Sequence, residues 1–151
     1  MTQGRRRTLW TLAIWSVVAI GFGVTVFAYG GPETYVEGQT RRLIGAVFLA
    51  IGFFGTPLML FLTRTRPGAT HVASDERDER ISQKATMIGL VVVLLYVFLT
   101  SIGLWEAYSD TGAVPVGWMW FLAYSTAILA YLAPATAALV LDLGMMDRAE
   151  G

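Results

Sequence analysis

Four stretches of this chain are apolar over a length that crosses a lipid bilayer. They are residues 9–29, 43–63, 85–105 and 116–141, and none of them carries a charged side chain. The hydrocarbon core of a bilayer is spanned by about 20 largely apolar residues in a helix. Because unpaired backbone polar groups are costly in hydrocarbon, each stretch is predicted to form a transmembrane α-helix.

The remaining sequence is too short for a sizeable soluble domain. The connections are residues 30–42, 64–84 and 106–115, and the whole chain is 55% hydrophobic and 15% charged. The predicted fold is therefore all-α, an integral membrane bundle of four transmembrane helices that forms one domain over residues 1–151. A cleaved signal peptide is the alternative for the first stretch, but residues 9–29 exceed the usual apolar region of about 7–15 residues, which favours an uncleaved helix.

The distribution of Lys and Arg predicts the orientation of the bundle. Basic residues close to membrane ends are retained on the cytoplasmic side. With four alternating spans, only Arg41 and Arg42 of the 11 basic residues fall on one side, and the others fall on the side that holds both termini. Both termini and the segment 64–84 are therefore predicted to be cytoplasmic, in the cell membrane.

A dense block of charge, residues 74–84, immediately precedes the third apolar stretch. Ser74 is a favourable N-cap, which predicts that a cytoplasmic helix starts here and continues into the membrane. At 100° per residue the basic side chains share one stripe, where they are expected to contact lipid headgroups. This stripe consists of Arg77, Arg80 and Lys84.

The acidic residues of the same block, Asp75, Asp78 and Glu79, lie roughly opposite the basic stripe. Anchoring to lipid needs no carboxylates, so these residues are predicted to dock a protein partner or a second copy of the chain. A solvated juxtamembrane helix with mixed charges is the alternative interpretation.

The same block also resembles a known pattern. Asp75-Glu76-Arg77, followed by Ile81 and Lys84-Ala85 and then an apolar helix, is similar to the D-E-R…I…K-A signature of small membrane proteins of bacteria and archaea that contain a domain of unknown function. The resemblance implies two helices before the signature, two after it and a prokaryotic membrane, and it implies no reaction. The repeated Asp78-Glu79-Arg80 departs from the signature.

The sequence shows no pattern typical of a catalytic or metal site. It has no cysteine, and its single histidine, His71, lies in the loop before Ser74. None of the apolar stretches contains the ionisable group that chemistry or ion coupling inside a membrane usually requires. We therefore predict no enzymatic activity, no catalytic or metal-ligating residues and no cofactor, and the net charge of zero does not favour nucleic acid as a partner.

Two prolines and several small residues shape the predicted helices. Pro57 and Pro134 each remove a backbone hydrogen bond and are expected to kink the second and fourth spans. Small residues four apart, such as Ala46/Ala50 and Ala133/Ala137, are expected to form close seams between helices.

These features predict a non-enzymatic multi-pass membrane protein that acts through assembly, either as a regulator or sensor or as an accessory subunit of a membrane complex. Its expected partners are membrane lipids together with a second copy or another protein. The alternative is a small transporter or channel for a neutral or lipid-like solute, in which Pro57 and Pro134 would flank a pathway lined by hydroxyl groups.

Overall fold

The computed structural model describes residues 3–28, 30–63 and 76–150, and the side chains of 4–28, 30–63 and 78–144. These residues form α-helices joined by turns, and no strand occurs among them. The helices are α1 (Gln3–Phe27), α2 (Pro32–Tyr35), α3 (Gln39–Leu62), α4 (Glu76–Ala107) and α5 (Val116–Glu150). All except the short α2 are long and apolar enough to cross a membrane, which confirms the predicted four-span fold.

The long helices extend beyond the apolar stretches into polar sequence. α4 runs without a break from the charged block at Glu76 to Ala107, so the block and the third apolar stretch share one helix over these residues. Its predicted N-cap, Ser74, lies outside the described residues. Short polar extensions of this kind are expected, because a helix that is already nucleated gains one backbone hydrogen bond for each residue it adds.

The four long helices pack in the spatial order α3, α1, α5, α4. α1 packs against both α3 and α5, whereas α4 packs against α5 and lies at the opposite edge of the bundle from α3. Successive long helices run in opposite directions, so the start of α1, the start of α4 and the end of α5 share one end of the bundle.

The core is centred on α1 and is rich in aromatic side chains. Trp15, Val18, Phe22 and Val26 recur every three or four residues, so they line one side of α1, and all four are buried. The Trp15 ring stacks on Tyr131 of α5, with ring centroids 4.2 Å apart and planes 6° from parallel. These rings place the best-packed part of the molecule between α1, α3 and α5.

Glycines allow α3 to approach α1 closely. The buried face of α3 consists of Gly45, Leu49, Gly52, Thr56 and Met59, which are spaced alternately four and three residues apart. A Cβ atom on Gly52 would lie 2.9 Å from the Trp15 ring, so only glycine leaves room for the indole. The expected seam at Ala46/Ala50 is wrong, because both alanines are exposed on the adjoining faces of α3.

Both prolines lie inside helices that continue past them. Pro57 is exposed on α3, and Pro134 lies against Gly89 of α4. Each ring removes one backbone donor from its helix. Pro57 thus lies on the surface of α3, whereas Pro134 lies at the contact between α4 and α5.

Candidate docking site

The charged ends of three helices meet at one end of the bundle. The Arg5 Nε atom of α1 lies 3.7 Å from an Asp142 carboxylate oxygen of α5. At the start of α4, the Asp78 carboxylate is so close to α1 that a Cβ atom on Gly4 would lie 3.2 Å from its oxygen. The start of α4 is thus held beside both chain ends.

Asp78 faces the chain's own first helix. Its side chain is half-buried, and its carboxylate lies beside Gly4 in the first turn of α1. The exposed amide groups of a helix start carry partial positive charge, which favours a carboxylate at this position. Asp78 therefore has a structural neighbour within the bundle, in addition to the docking role predicted for it.

The other described charges of the block lie on the surface. Glu79, Arg80 and Lys84 are exposed, while Ile81 and Ala85 are 6% and 2% exposed on α4, whose packing partner is α5. The apolar positions Ile81 and Ala85 thus hold α4 on the bundle, while Glu79, Arg80 and Lys84 are exposed. Asp75 and the side chain of Arg77 lie outside the described residues.

A second polar cluster, at the other end of the bundle, joins three separate segments. The Tyr108 hydroxyl, just after α4, donates a hydrogen bond to the Glu33 carboxylate of α2. The Trp118 Nε1 atom of α5 donates to the Tyr108 hydroxyl at 2.8 Å. The bond to Glu33 raises the pKa of the Tyr108 phenol above its ordinary value of 10.0, because the carboxylate accepts the proton that the phenol would lose.

Neither α2 nor this cluster was predicted from the sequence. The turn before α2 uses Gly30 and Gly31 at φ angles of 106° and 89°, which L-residues other than glycine rarely adopt. Pro32 then occupies the first turn of α2, and its carbonyl oxygen lies against Gly117 of α5. A Gly-Gly-Pro sequence before an acidic residue is typical of a turn followed by a helix start, and this signal was available.

Hydroxyl groups inside the bundle bond to carbonyls of their own helix or to a neighbouring helix. The Tyr96 hydroxyl of α4 lies 2.6 Å from the Ser125 hydroxyl of α5, and Ser125 also donates to the Phe121 carbonyl. The Thr25 hydroxyl donates to the Gly21 carbonyl at 2.7 Å. Among the described residues no group of three or more His, Asp or Glu side chains could hold a metal ion. The exposed charges at the start of α4, in contrast, are suited to binding a partner through surface charge.

Comparison of the chain with models of protein families, with curated proteins and with solved structures finds no match. The D-E-R…I…K-A resemblance therefore stays a prediction. In the fold, its apolar positions Ile81 and Ala85 are buried and its Lys84 is exposed.

Proposed function

We propose that this chain is a non-enzymatic multi-pass protein of the prokaryotic cytoplasmic membrane that acts through assembly with a partner protein or a second copy. In this proposal Asp75, Asp78 and Glu79 form the contact surface, and Arg77, Arg80 and Lys84 lie at the lipid headgroups. The observation that carries the proposal is the division of this block into a buried apolar side, Ile81 and Ala85, and an exposed charged side that includes Glu79.

The position of α4 supports this role. α4 lies at the edge of the bundle and packs against α5, so its charged start is approachable from the side that α5 does not cover. The ion pair between Arg5 and Asp142 and the approach of Asp78 to Gly4 hold the ends of α1 and α5 beside it. A partner would meet a surface whose backbone is already fixed, which lowers the entropic cost of binding.

The two versions of assembly differ in whether this chain persists in the membrane when its partner is deleted. A regulator or sensor transmits a membrane signal to a soluble factor, and it persists in the membrane when that factor is deleted. An accessory subunit is lost from the membrane when the rest of its complex is removed.

The transporter alternative is less well supported by the geometry. Pro57 is exposed on α3, whereas Pro134 packs on Gly89 at the contact between α4 and α5. α1 lies between α3 and α5. This placement favours assembly over a pathway that both prolines would flank.

The proposal is tested by cross-linking from the native membrane. A photo-reactive residue at Glu79 is expected to capture one protein, or a second copy, in stoichiometric yield. The same residue at Glu106, exposed at the opposite end of α4, is the matched control and should not capture it.

Glu79→Lys combined with Asp75→Lys should abolish association without reducing membrane insertion, while Glu106→Lys should leave both unchanged. Equal capture from both ends, or association that survives the charge reversal, would refute the docking role.

A further inference from the structure

A groove of about 450 Å³ lies between α4 and α5 on the outer surface of the bundle. Ile88 and Val92 of α4 form one wall, and the opposite wall, on α5, includes Leu132, Thr136 and Val140. The volume lies within the range of about 300–1,000 Å³ that is usual for small-molecule sites. Thr136 supplies the single polar side chain of the lining.

The groove has a structural cause in the close approach of the two helices. A Cβ atom on Gly89 would lie 2.7 Å from the Pro134 ring, so the helix backbones meet tightly at this point. Beside that contact, the small side chains of Ala133 and Ala137 leave the space between the larger residues unfilled. The groove thus results from the tight contact between Gly89 and Pro134 and from the small alanine side chains beside it.

A positive charge lies on α4 beside the groove, toward the charged end of the bundle. Lys84 is exposed and precedes Ile88 by one helical turn, which places the two residues on the same face of α4. α4 and α5 are antiparallel, and Gly89 marks the same depth as Pro134. A helix rises 1.5 Å per residue, so Lys84, five residues before Gly89, lies about 7.5 Å closer to the charged end than Gly89 does. Thr136, two residues after Pro134, lies about 3 Å closer to that end than Pro134 does. The Thr136 hydroxyl is therefore about one turn deeper in the membrane than Lys84.

We propose that this groove is a binding site for an anionic phospholipid. One acyl chain lies along the apolar walls, the phosphate contacts the Lys84 ammonium, and the Thr136 hydroxyl donates to an ester carbonyl between them. A phospholipid presents these three groups in the same order from chain to headgroup, and long lysine side chains reach the interface from within a membrane helix. A second transmembrane helix fits less well, since a helix with side chains is about 10 Å wide.

The test measures lipid retention by the purified full-length chain. The protein is extracted in a mild detergent, mixed with phosphatidylglycerol or phosphatidylcholine carrying identical acyl chains, and analysed by native mass spectrometry. Wild type should retain one phosphatidylglycerol preferentially. Lys84→Gln should reduce that preference about fivefold, the effect expected for one basic residue near anionic lipid.

Matched variants separate this site from general lipid binding. Arg6→Gln removes an exposed basic residue from α1 and should leave the preference unchanged. Ala137→Trp fills the groove and should abolish retention of both lipids, whereas Leu94→Trp, on an exposed position of α4 outside the lining, should not. If Ala137→Trp unfolds, the smaller Ala137→Leu is used, with circular dichroism as the check on folding.

Equal retention of both lipids by wild type would overturn the proposal, as would equal losses from Lys84→Gln and Arg6→Gln. A second copy of the chain that is displaced by Ala137→Trp would overturn it too, because the groove would then be a dimer interface. The lipid site does not rest on the proposed docking role at Glu79, and either can fail while the other stands.

Discussion

The Trp15 Nε1 atom of α1 donates a hydrogen bond of 2.9 Å to the Thr56 hydroxyl of α3, deep within the bundle. Thr56 in turn donates to the Gly52 carbonyl at 2.8 Å. The indole is fully buried and Thr56 is 8% exposed, so neither group has solvent as an alternative partner. This relay links α1 to α3 at the centre of the aromatic core.

Thr56→Val should lower the free energy of unfolding by about 1 kcal/mol, because it keeps the shape of the side chain and leaves the Trp15 donor unpaired. Thermal unfolding in detergent measures the loss. Thr86→Val is the control, since that hydroxyl only donates to the Ser82 carbonyl on an exposed face of α4. Equal stability of the two variants would show that the buried relay contributes nothing.

Gly89→Ala should weaken the packing of α4 on α5. Its new Cβ atom would meet the Pro134 ring at 2.7 Å and the Pro134 backbone nitrogen at 2.9 Å, and a proline ring has little freedom to move away. The matched control is Gly103→Ala in the same helix, where a Cβ atom would meet nothing within 4 Å.

Gly103→Ala should be neutral or stabilising by up to about 1 kcal/mol, because alanine favours the helix more than glycine does. Thermal unfolding of both variants, together with the midpoint for wild type, provides the comparison. A stabilised Gly89→Ala protein would contradict the close approach of the two helices.

Glu33→Gln should return the Tyr108 pKa toward its ordinary value of 10.0, because the carboxylate is the main cause of the increase. A raised pKa in the folded state means that the folded protein holds this proton more tightly than the unfolded chain does. The contact thus contributes stability below pH 10.0 and loses it as pH rises through the folded pKa.

Tyrosinate absorbance against pH measures this effect, with Tyr108→Phe identifying the contribution of this phenol to the curve. Trp118→Phe tests the opposite sign, because the indole hydrogen bond lowers the same pKa. If the Tyr108 pKa is the same in wild type and in Glu33→Gln, the hydrogen bond between Tyr108 and Glu33 is contradicted.

The number and placement of the long helices were predictable because the apolar stretches are long and free of charge. Residues 85–105 correspond to the membrane part of α4 and residues 116–141 to that of α5. Backbone hydrogen bonding in hydrocarbon leaves a chain of this kind few alternatives to the helix.

The face that each helix buries was not predictable in the same way. Side chains toward lipid and side chains toward the core are both apolar, so periodicity does not separate Gly45 and Gly52 from Ala46 and Ala50. The neighbour of Asp78 was missed for a different reason: its approach to Gly4 depends on how the end of α1 lies beside α4, which is a tertiary contact.

The orientation of the bundle is open to a direct test, since the chain has no cysteine. Asp110→Cys, in the exposed turn after α4, should react with a membrane-impermeant thiol reagent applied to intact cells. Gln83→Cys, exposed near the start of α4, should react only after the cells are permeabilised. The reverse pattern would show that the start of α4 lies outside the cell, and the docking proposal depends on its being cytoplasmic.

If the chain acts through assembly at the start of α4, the decisive measurement is the composition of the tagged protein extracted from its native membrane in a mild detergent. We expect a particle that holds a second copy or a stoichiometric partner in addition to one 16.5 kDa chain. The same particle should revert to a single chain when Asp75 and Glu79 are both changed to Lys. A single chain in the wild type, or a particle whose composition the charge reversal does not change, would contradict it.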